Sequence, residues 1–483
     1  MSKIKRLAGD TMLYGLGSML PRIINFFLVR IHTVNTFSPA EYGIVTKLLA
    51  IVAFVNVVYL FGMETAFFRF ANREGADKKR IFDLAQTVVL IVSISSSIIF
   101  IVFSNPIAAS LGNGVKPEHI TWLTLIMLMD AAVAIPFARL RLERKAVLFA
   151  TAKLVNVFLS LGLNYYFLKM NYNPSIGIGY VFLANLIANS FFILFFLKTL
   201  FAWRPAFDRK ISGEMFHYAY PVMLTGLAGM TNEMFSRLTL EWWLPKGFYA
   251  GQSNDDALGI FGACYKFAVF MNLGVQAFRY AAEPFFFSNA SQKDSPQLFA
   301  KINHYFVITC CIFLLGVGIN MDLLKHFIGK EFWGGIYIVP PLLLAYLFLG
   351  VYYNFSVWFK LTDKTYYGTV ITLFGAILTV ALNYLFIPIA GYYGSSIAAA
   401  LVYGAMMVVC YFFGQKYYPI PYSVISGMSY IFITYALVIG LNLISFSNQI
   451  IATAFHTLVI LIYCVVVFLI ERKELMPQKQ ANL

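Results

Sequence analysis

Residues 69–103 read RFANREGADKKR followed by IFDLAQTVVLIVSISSSIIFIVF. A loop with five basic residues (Arg69, Arg73, Lys78, Lys79 and Arg80) gives way to an apolar run from Ile81 to Phe103. About 20 mainly apolar residues cross a bilayer as a helix, and Lys and Arg collect in the loops on the cytoplasmic side. The stretch therefore reads as one crossing helix with its cytoplasmic flank, and the rest of the chain repeats the pattern. Fourteen such runs lie near 11–34, 43–68, 81–103, 119–138, 147–168, 177–197, 217–243, 259–287, 304–324, 336–359, 366–388, 393–413, 424–444 and 450–470. Proline and polar residues interrupt the fourth and tenth. Composition agrees: of 483 residues 60% are hydrophobic and 12% charged, against roughly 25% charged in soluble proteins. So few charges cannot cover a water-soluble protein of this size, and the expected fold is an all-α integral membrane protein of about fourteen transmembrane helices.

Loop charge sets the direction. With the N-terminus in the cytoplasm, the inner segments 1–10, 69–80, 139–146, 198–216, 288–303, 360–365, 414–423 and 471–483 hold 24 Lys and Arg. The outer loops hold five: Lys116, Lys169, Lys246, Lys325 and Lys330. This asymmetry predicts cytoplasmic N- and C-termini and an even number of crossings. It also accounts for the formal net charge of +14, because the basic residues form short flanking clusters rather than a track for a phosphate backbone. No nucleic-acid partner is expected. The first run follows Lys3, Lys5 and Arg6 but is long, contains Pro21, Arg22 and Asn25, and lacks a small-x-small cleavage site, so it reads as a retained helix. Cys264, Cys310, Cys311, Cys410 and Cys464 lie in apolar runs without CxxC spacing, which indicates neither a zinc site nor a disulfide framework.

The chain repeats itself. Leu163-Asn164-Tyr165-Tyr166-Phe167-Leu168 is matched 219 residues later by Leu382-Asn383-Tyr384-Leu385-Phe386-Ile387. Tyr42-Gly43-Ile44 is matched at an offset of 216 by Leu258-Gly259-Ile260. Spans one to six and seven to twelve then form parallel repeats, two six-helix bundles over 1–210 and 211–415, with two additional helices and a cytoplasmic tail over 416–483. Parallel repeats relate to one another about an axis along the membrane normal, as in transporters whose halves rock around a central site.

Ionisable groups at bilayer depth mark cavities or partners. Arg22 stands mid-span with Asn25 nearby and Arg30 eight positions on. Glu233, Arg237 and Glu241 recur at i, i+4 and i+8, and the next span carries Lys266, Arg279 and Glu283. Glu233–Arg237 and Arg279–Glu283 have the spacing of helical ion pairs. Lys47 and Glu241, near the outer boundary, and Glu64 and Lys153, near the inner one, have the length to snorkel. Arg22, Arg30, Arg237, Lys266 and Arg279 favour an anionic substrate between the two halves, since guanidinium binds phosphate or pyrophosphate bidentately. Glu233, Glu283 and Asp130 are candidates for binding a coupling ion. The longest outer loops, 104–118 and 245–258, are too short for a catalytic domain. Asp255 and Asp256 read as a solvated turn. No Walker A, dinucleotide fingerprint or HExxH motif occurs, so no catalytic residue, cofactor or metal is expected.

Tyr14-Gly15 and Arg22 lead into Ser38-Pro39-Ala40-Glu41-Tyr42-Gly43, then Gly62-Met63-Glu64-Thr65-Ala66 and Arg69-Phe70; Leu258-Gly259-Ile260-Phe261 and Glu283-Pro284-Phe285 follow in the second half. Over most of residues 1–415 this resembles the polysaccharide-transporter family of lipid-linked oligosaccharide flippases. Those flippases belong to the MOP superfamily, with the multidrug extruders and the lipid II flippases. The resemblance implies a non-enzymatic, alternating-access flippase of the bacterial inner membrane. Its substrate would be a polyprenyl-pyrophosphate-linked glycan, moved to the outer leaflet for surface polysaccharide synthesis. Membrane lipids, an H+ or Na+ coupling ion and polysaccharide polymerase or assembly proteins are the implied partners. Arg22 matches as a cavity arginine, and Tyr42, Gly43, Gly62 and Arg69 as motif positions. Fourteen spans depart from the twelve of many members and are similar to the lipid II flippases, whose extra pair lines a groove for the lipid tail. A cation-coupled drug exporter of the same superfamily and a membrane glycan polymerase or ligase are the alternatives; the basic excess argues against the first, the short loops and parallel repeat against the second.

Overall fold

The computed structural model describes residues 3–444 and 446–475, all helix and connecting loop, with no strand among the described residues. The tail from 476 onward, read above as part of the cytoplasmic C-terminal segment, lies outside them. In chain order the helices are α1 (Lys3–Thr33), α2 (Pro39–Leu60), α3 (Met63–Ala71), α4 (Lys78–Val102), α5 (Ser104–Ser110), α6 (Pro117–Leu142), α7 (Ala146–Tyr165), α8 (Gly179–Phe195) and α9 (Leu197–Ala202). There follow α10 (Arg209–Trp243), α11 (Asn254–Asn289), α12 (Ser295–Gly318), α13 (Met321–Leu324), α14 (Val339–Phe355), α15 (Val357–Leu361), α16 (Tyr366–Tyr417), α17 (Val424–Asn442) and α18 (Gln449–Leu475). Among the described residues, ten helical stretches are long and apolar enough to cross a membrane. Each of the other predicted runs also falls on a helix: α1 and α10 are long but more polar, α8 is shorter, and α16 holds two runs.

Local chemistry explains the boundaries. α2 opens on a capping box, in which the Ser38 hydroxyl accepts from the Glu41 amide and the Glu41 carboxylate accepts from the Ser38 amide at 2.9 Å. Ser253 and Asp256 build the same box at the start of α11. Gly62 has φ +68°, which lets the chain turn from α2 into α3. A Cβ there would stand 2.6 Å from the Ala219 carbonyl oxygen of α10. Pro136 leaves α6 unbroken, and Pro340 and Pro341 sit in the first turn of α14, where the missing amide costs nothing. The 52-residue α16 cannot be straight, because the hydroxyls of Tyr367 and Tyr417 near its two ends lie 2.8 Å apart. The chain reverses at Gly391, where φ is +57°.

The two matched asparagines have similar surroundings. Asn164 and Asn383 are both buried, and each donates to the carbonyl four residues back at 2.8 Å. Each amide oxygen takes a bond from another segment, at 3.0 Å to His32 Nε2 and at 2.9 Å from the Ser395 hydroxyl.

Contacts sort the loops into two faces that match their charge. At the basic-poor face Arg30 donates to the His326 carbonyl, Lys116 to that of Ser175 and Lys169 to that of Val34. At the basic-rich face Arg73 pairs with Glu214, Arg80 with Asp208 and Glu283 with Lys360. Burial places α11 at the centre, with 78% of its apolar window buried, against 17% for α17 and for α18. The last two display large apolar side chains outward, such as Ile425 and Phe432 on α17 and Ile450 on α18, as lipid-facing helices do.

Candidate functional site

Five of the predicted charges share a region of the second half. Glu233 and Arg237 project from α10, and Lys266, Arg279 and Glu283 from α11; all are half-buried. Arg237 and Glu233 are the charges that act on Lys266. The i,i+4 pair expected between Glu233 and Arg237 is not formed: neither they nor Lys266 makes an ion pair within 4 Å among the described residues. The Arg237 guanidinium instead lies 4.1 Å above the Tyr265 ring. Arg279 lies 4.6 Å above Tyr353 and 4.0 Å from Glu283, whose carboxylate is bound more closely by Lys360 at 2.5 Å. Behind these rings the hydroxyls of Tyr265 and Tyr346 bond to each other, and that of Tyr403 donates to the Asn232 carbonyl.

This arrangement has a chemical consequence. A guanidinium stacked on a ring is held in place through its face, while its in-plane N–H groups stay available to an acceptor. A guanidinium in a tight carboxylate pair has spent them. Arg237 and Lys266 thus offer two cations to an anion with several oxygens, and the carboxylate beside them, Glu233, is in no ion pair with either; Arg279 stands thirteen residues further along α11, roughly 20 Å of helix rise away, beside Glu283.

The other predicted residues lie apart from it. Arg22 is exposed on α1. It stands one turn from Phe26, whose ring meets Phe267 and Phe270 of α11 at 5.9 and 4.5 Å, so it shares the stripe of α1 that approaches α11. Arg30 is at the basic-poor end, where its guanidinium holds the carbonyls of His326 and Phe327. Asp130 sits in the first half, accepting from Asn189 at 3.0 Å and facing the charge of Lys153. No bond links it to the cluster among the described residues.

One group was misjudged from the sequence. Lys47 does not snorkel: it is 2% exposed and lies between Glu241 at 2.8 Å and Asp255 at 3.4 Å, also donating to the Leu111 carbonyl at 2.8 Å. Asp255 is therefore no solvated turn residue, although Asp256 does cap its helix. One turn before Lys47, Gly43 meets Gly259 so closely that a Cβ on Gly43 would stand 2.1 Å from the Asp255 oxygen. A Cβ on Gly259 would stand 1.8 Å from the Pro39 oxygen. The two glycines, which the sequence matches at an offset of 216, pack against each other. Glycine beside a charged residue one turn on was the available signal.

The family model described as polysaccharide biosynthesis protein matches residues 36–311, more than half of the chain. The chain belongs to this polysaccharide biosynthesis family. The matched segment contains both capping boxes, the Gly43–Gly259 contact, Arg237, Lys266 and Arg279. Among solved structures, the lipid II flippase MurJ in an inward closed conformation superposes with a TM-score of 0.75 at 14% identity, over 96% of this chain and 100% of that one. An inward-facing multidrug resistance MATE family transporter of the MOP superfamily gives 0.61 at 15% identity, over 86% and 97%. Its outward-facing counterpart gives 0.60 at 13%, over 85% and 95%. A search of curated proteins gives no significant match. The family has here the MOP-superfamily fold, as the sequence motifs implied.

Proposed function

We propose that the chain is a flippase that carries polyprenyl-pyrophosphate-linked oligosaccharide repeat units from the cytoplasmic to the outer leaflet, without chemistry, for surface polysaccharide synthesis. The observation that carries this reading is Arg237, stacked on the Tyr265 ring with no carboxylate pair and with Lys266 beside it, inside a member of a polysaccharide biosynthesis family. Pyrophosphate is the ligand whose charge and oxygen count suit it. We assign fourteen crossings with the basic-rich face in the cytoplasm, bundles at 1–210 and 211–415, and an added pair after 416. The Lys47–Glu241–Asp255 cluster then joins the halves on the outer side, so a substrate reaches Arg237 from the cytoplasm. Arg22 meets the pyrophosphate at the edge between α1 and α11, the polyprenyl tail stays in lipid, and Arg30 acts at the outer exit. Glu233, Glu283 and Asp130 are the residues for proton or sodium coupling.

The test is mass spectrometry of lipid-linked glycans in cells lacking the gene, with leaflet position read by an impermeant label. Complete repeat units trapped in the cytoplasmic leaflet support the reading. Units that reach the outer leaflet but stay unpolymerised would make the protein a polymerase. An unchanged lipid pool with new sensitivity to toxic cations would make it a drug exporter.

A further inference from the structure

A pocket of about 680 Å³ lies at the basic-poor face, a size within the roughly 300–1,000 Å³ of small-ligand sites. The end of α1 and the loop after it form one wall, and the stretch 326–333 that leads into α14 forms the other. Arg30 Nη1 donates to the carbonyls of His326 and Phe327 at 3.1 and 3.4 Å, and the Gly329 amide donates to the Thr33 hydroxyl at 3.3 Å. A Cβ on Gly329 would stand 2.2 Å from the Thr33 carbonyl oxygen, so glycine is what lets the walls meet.

Charge sets this pocket apart. The outer loops hold only five lysines, yet Lys330 lines the pocket and Lys169 holds its wall through the Val34 carbonyl and the Thr36 hydroxyl. With Arg30 they make three cations, and none has a carboxylate within 4 Å among the described residues. Lys330 bonds to no described residue and is exposed, as is Glu331, the one carboxylate in the lining. The Arg30 contacts run through one nitrogen to neutral carbonyls, so its charge and its other N–H groups stay available. Asn35, held at φ +54°, adds an amide that bonds to no described residue. A stripe on α1 leads here from mid-span, with Arg22, Phe26 and Arg30 at i, i+4 and i+8. Phe26 and Arg30 both lie on the Phe327 ring, at 4.5 and 5.7 Å.

We propose that this pocket is a release subsite, which takes the diphosphate of the carrier lipid once it has reached the outer leaflet. The inference rests on the flippase reading above. Lys330 and the free edge of Arg30 bind the diphosphate oxygens, Asn35 donates to one more, and Lys169 adds its charge from the wall. The prenyl chain stays in lipid beside α1. One wall belongs to each half of the chain, so the subsite holds the lipid in one arrangement of the halves and frees it in another.

Farnesyl diphosphate is titrated onto the full chain in detergent, reading the shift of thermal unfolding, with Arg237→Ala as the background so that the deeper site is silent. Lys330→Gln should weaken binding about tenfold, for one lost charge-assisted bond. Glu331→Gln should tighten it by roughly two- to fivefold, since an exposed opposing charge is gone. Damage to the fold cannot produce that opposite sign. Affinities within a factor of two of the background for both variants, or a loss in both, would overturn the proposal. Inorganic pyrophosphate binding as tightly as farnesyl diphosphate would make this a site for a free anion, and farnesyl monophosphate binding as tightly would make it a site for any phospholipid head group; either result overturns the carrier assignment. Repeat units trapped in cells lacking the gene, with binding indifferent to Lys330 and Glu331, would sink this subsite and leave the transport reading standing. Binding that follows both variants in a protein whose loss leaves the lipid pool unchanged would do the reverse.

Discussion

Replacing Lys47 by methionine should unlatch the basic-poor end. The side chain keeps its length, but Glu241 and Asp255 lose the ammonium between them and the Leu111 carbonyl loses its donor. Removing one partner from a fully buried pair costs roughly 3–5 kcal/mol. Here the carboxylates are 20% and 27% exposed, so water recovers part of that and about 2–3 kcal/mol is the expected loss. At about 1.4 kcal/mol per decade this multiplies the open fraction of that end by roughly 30 to 150. The assay places a cysteine at Leu258, which is fully buried beside Gly259. The native cysteines are replaced first, Cys464 above all because it alone is not buried. An impermeant maleimide is then applied from the basic-poor side. Labelling should accelerate in the methionine variant and slow again when Glu241→Gln and Asp255→Asn are added, since the stranded charges are gone. Labelling within a factor of three of the parent, with thermal unfolding unchanged, would refute the latch.

Gly259→Ala should open the same end by a different route, because its Cβ would collide with the Pro39 backbone oxygen at 1.8 Å; the same maleimide assay reads it, and normal protection of Leu258→Cys would contradict the contact. Arg237→Ala should abolish glycan export while the protein inserts at normal levels, and Arg237→Lys should recover little, since an ammonium lacks the planar fork that presents two donors. Full export by the alanine variant, measured as surface polysaccharide, would remove Arg237 from the site. Arg22→Ala should likewise lower export, and a normal yield of surface polysaccharide in that variant would remove the role given to α1. Lys360→Met should free Glu283 to bind Arg279 and so withdraw that cation from the substrate, lowering substrate affinity about tenfold for one lost charge-assisted bond.

The fold was legible because a membrane imposes it twice, through runs long enough to span and through the side on which Lys and Arg accumulate. Ser38, Glu41 and Gly43 could be recognised as a motif in the sequence, and the structure supplies the reason: a capping box that starts α2, then a glycine where α2 crosses α11. The cationic residues Arg237, Lys266 and Arg279 were legible because an apolar run makes each charge conspicuous. Their partners were not. Spacing predicted that Glu233 would neutralise Arg237, but spacing counts only neighbours on one helix, and a tyrosine from α11 takes the guanidinium instead. Lys47 failed for the same reason: its acceptors lie some 194 and 208 residues away, and a lysine near a boundary looks the same whether its stem reaches water or another helix.

The latch and the cluster can be weighed against each other. Reversing a two-state equilibrium from 1:99 to 99:1 takes about 5.5 kcal/mol of differential binding. The Lys47 cluster holds about 2–3 kcal/mol of the closed state by the estimate above. The glycine contact adds backbone packing of the kind that joins membrane helices without a hydrophobic driving force. A pyrophosphate that forms two or three charge-assisted bonds with Arg237 and Lys266, at roughly 1.5–3 kcal/mol each, supplies enough to overcome this, provided those bonds are better in the outward state than in the inward one. A substrate lacking the diphosphate could occupy the cavity without turning it. The sharpest prediction of the whole arrangement is therefore a separation of binding from movement: a polyprenyl monophosphate glycan should protect the cluster from labelling yet leave the Leu258→Cys site closed. Opening of that site by the monophosphate to the same degree as by the diphosphate would show that the latch does not draw its energy from the cationic cluster.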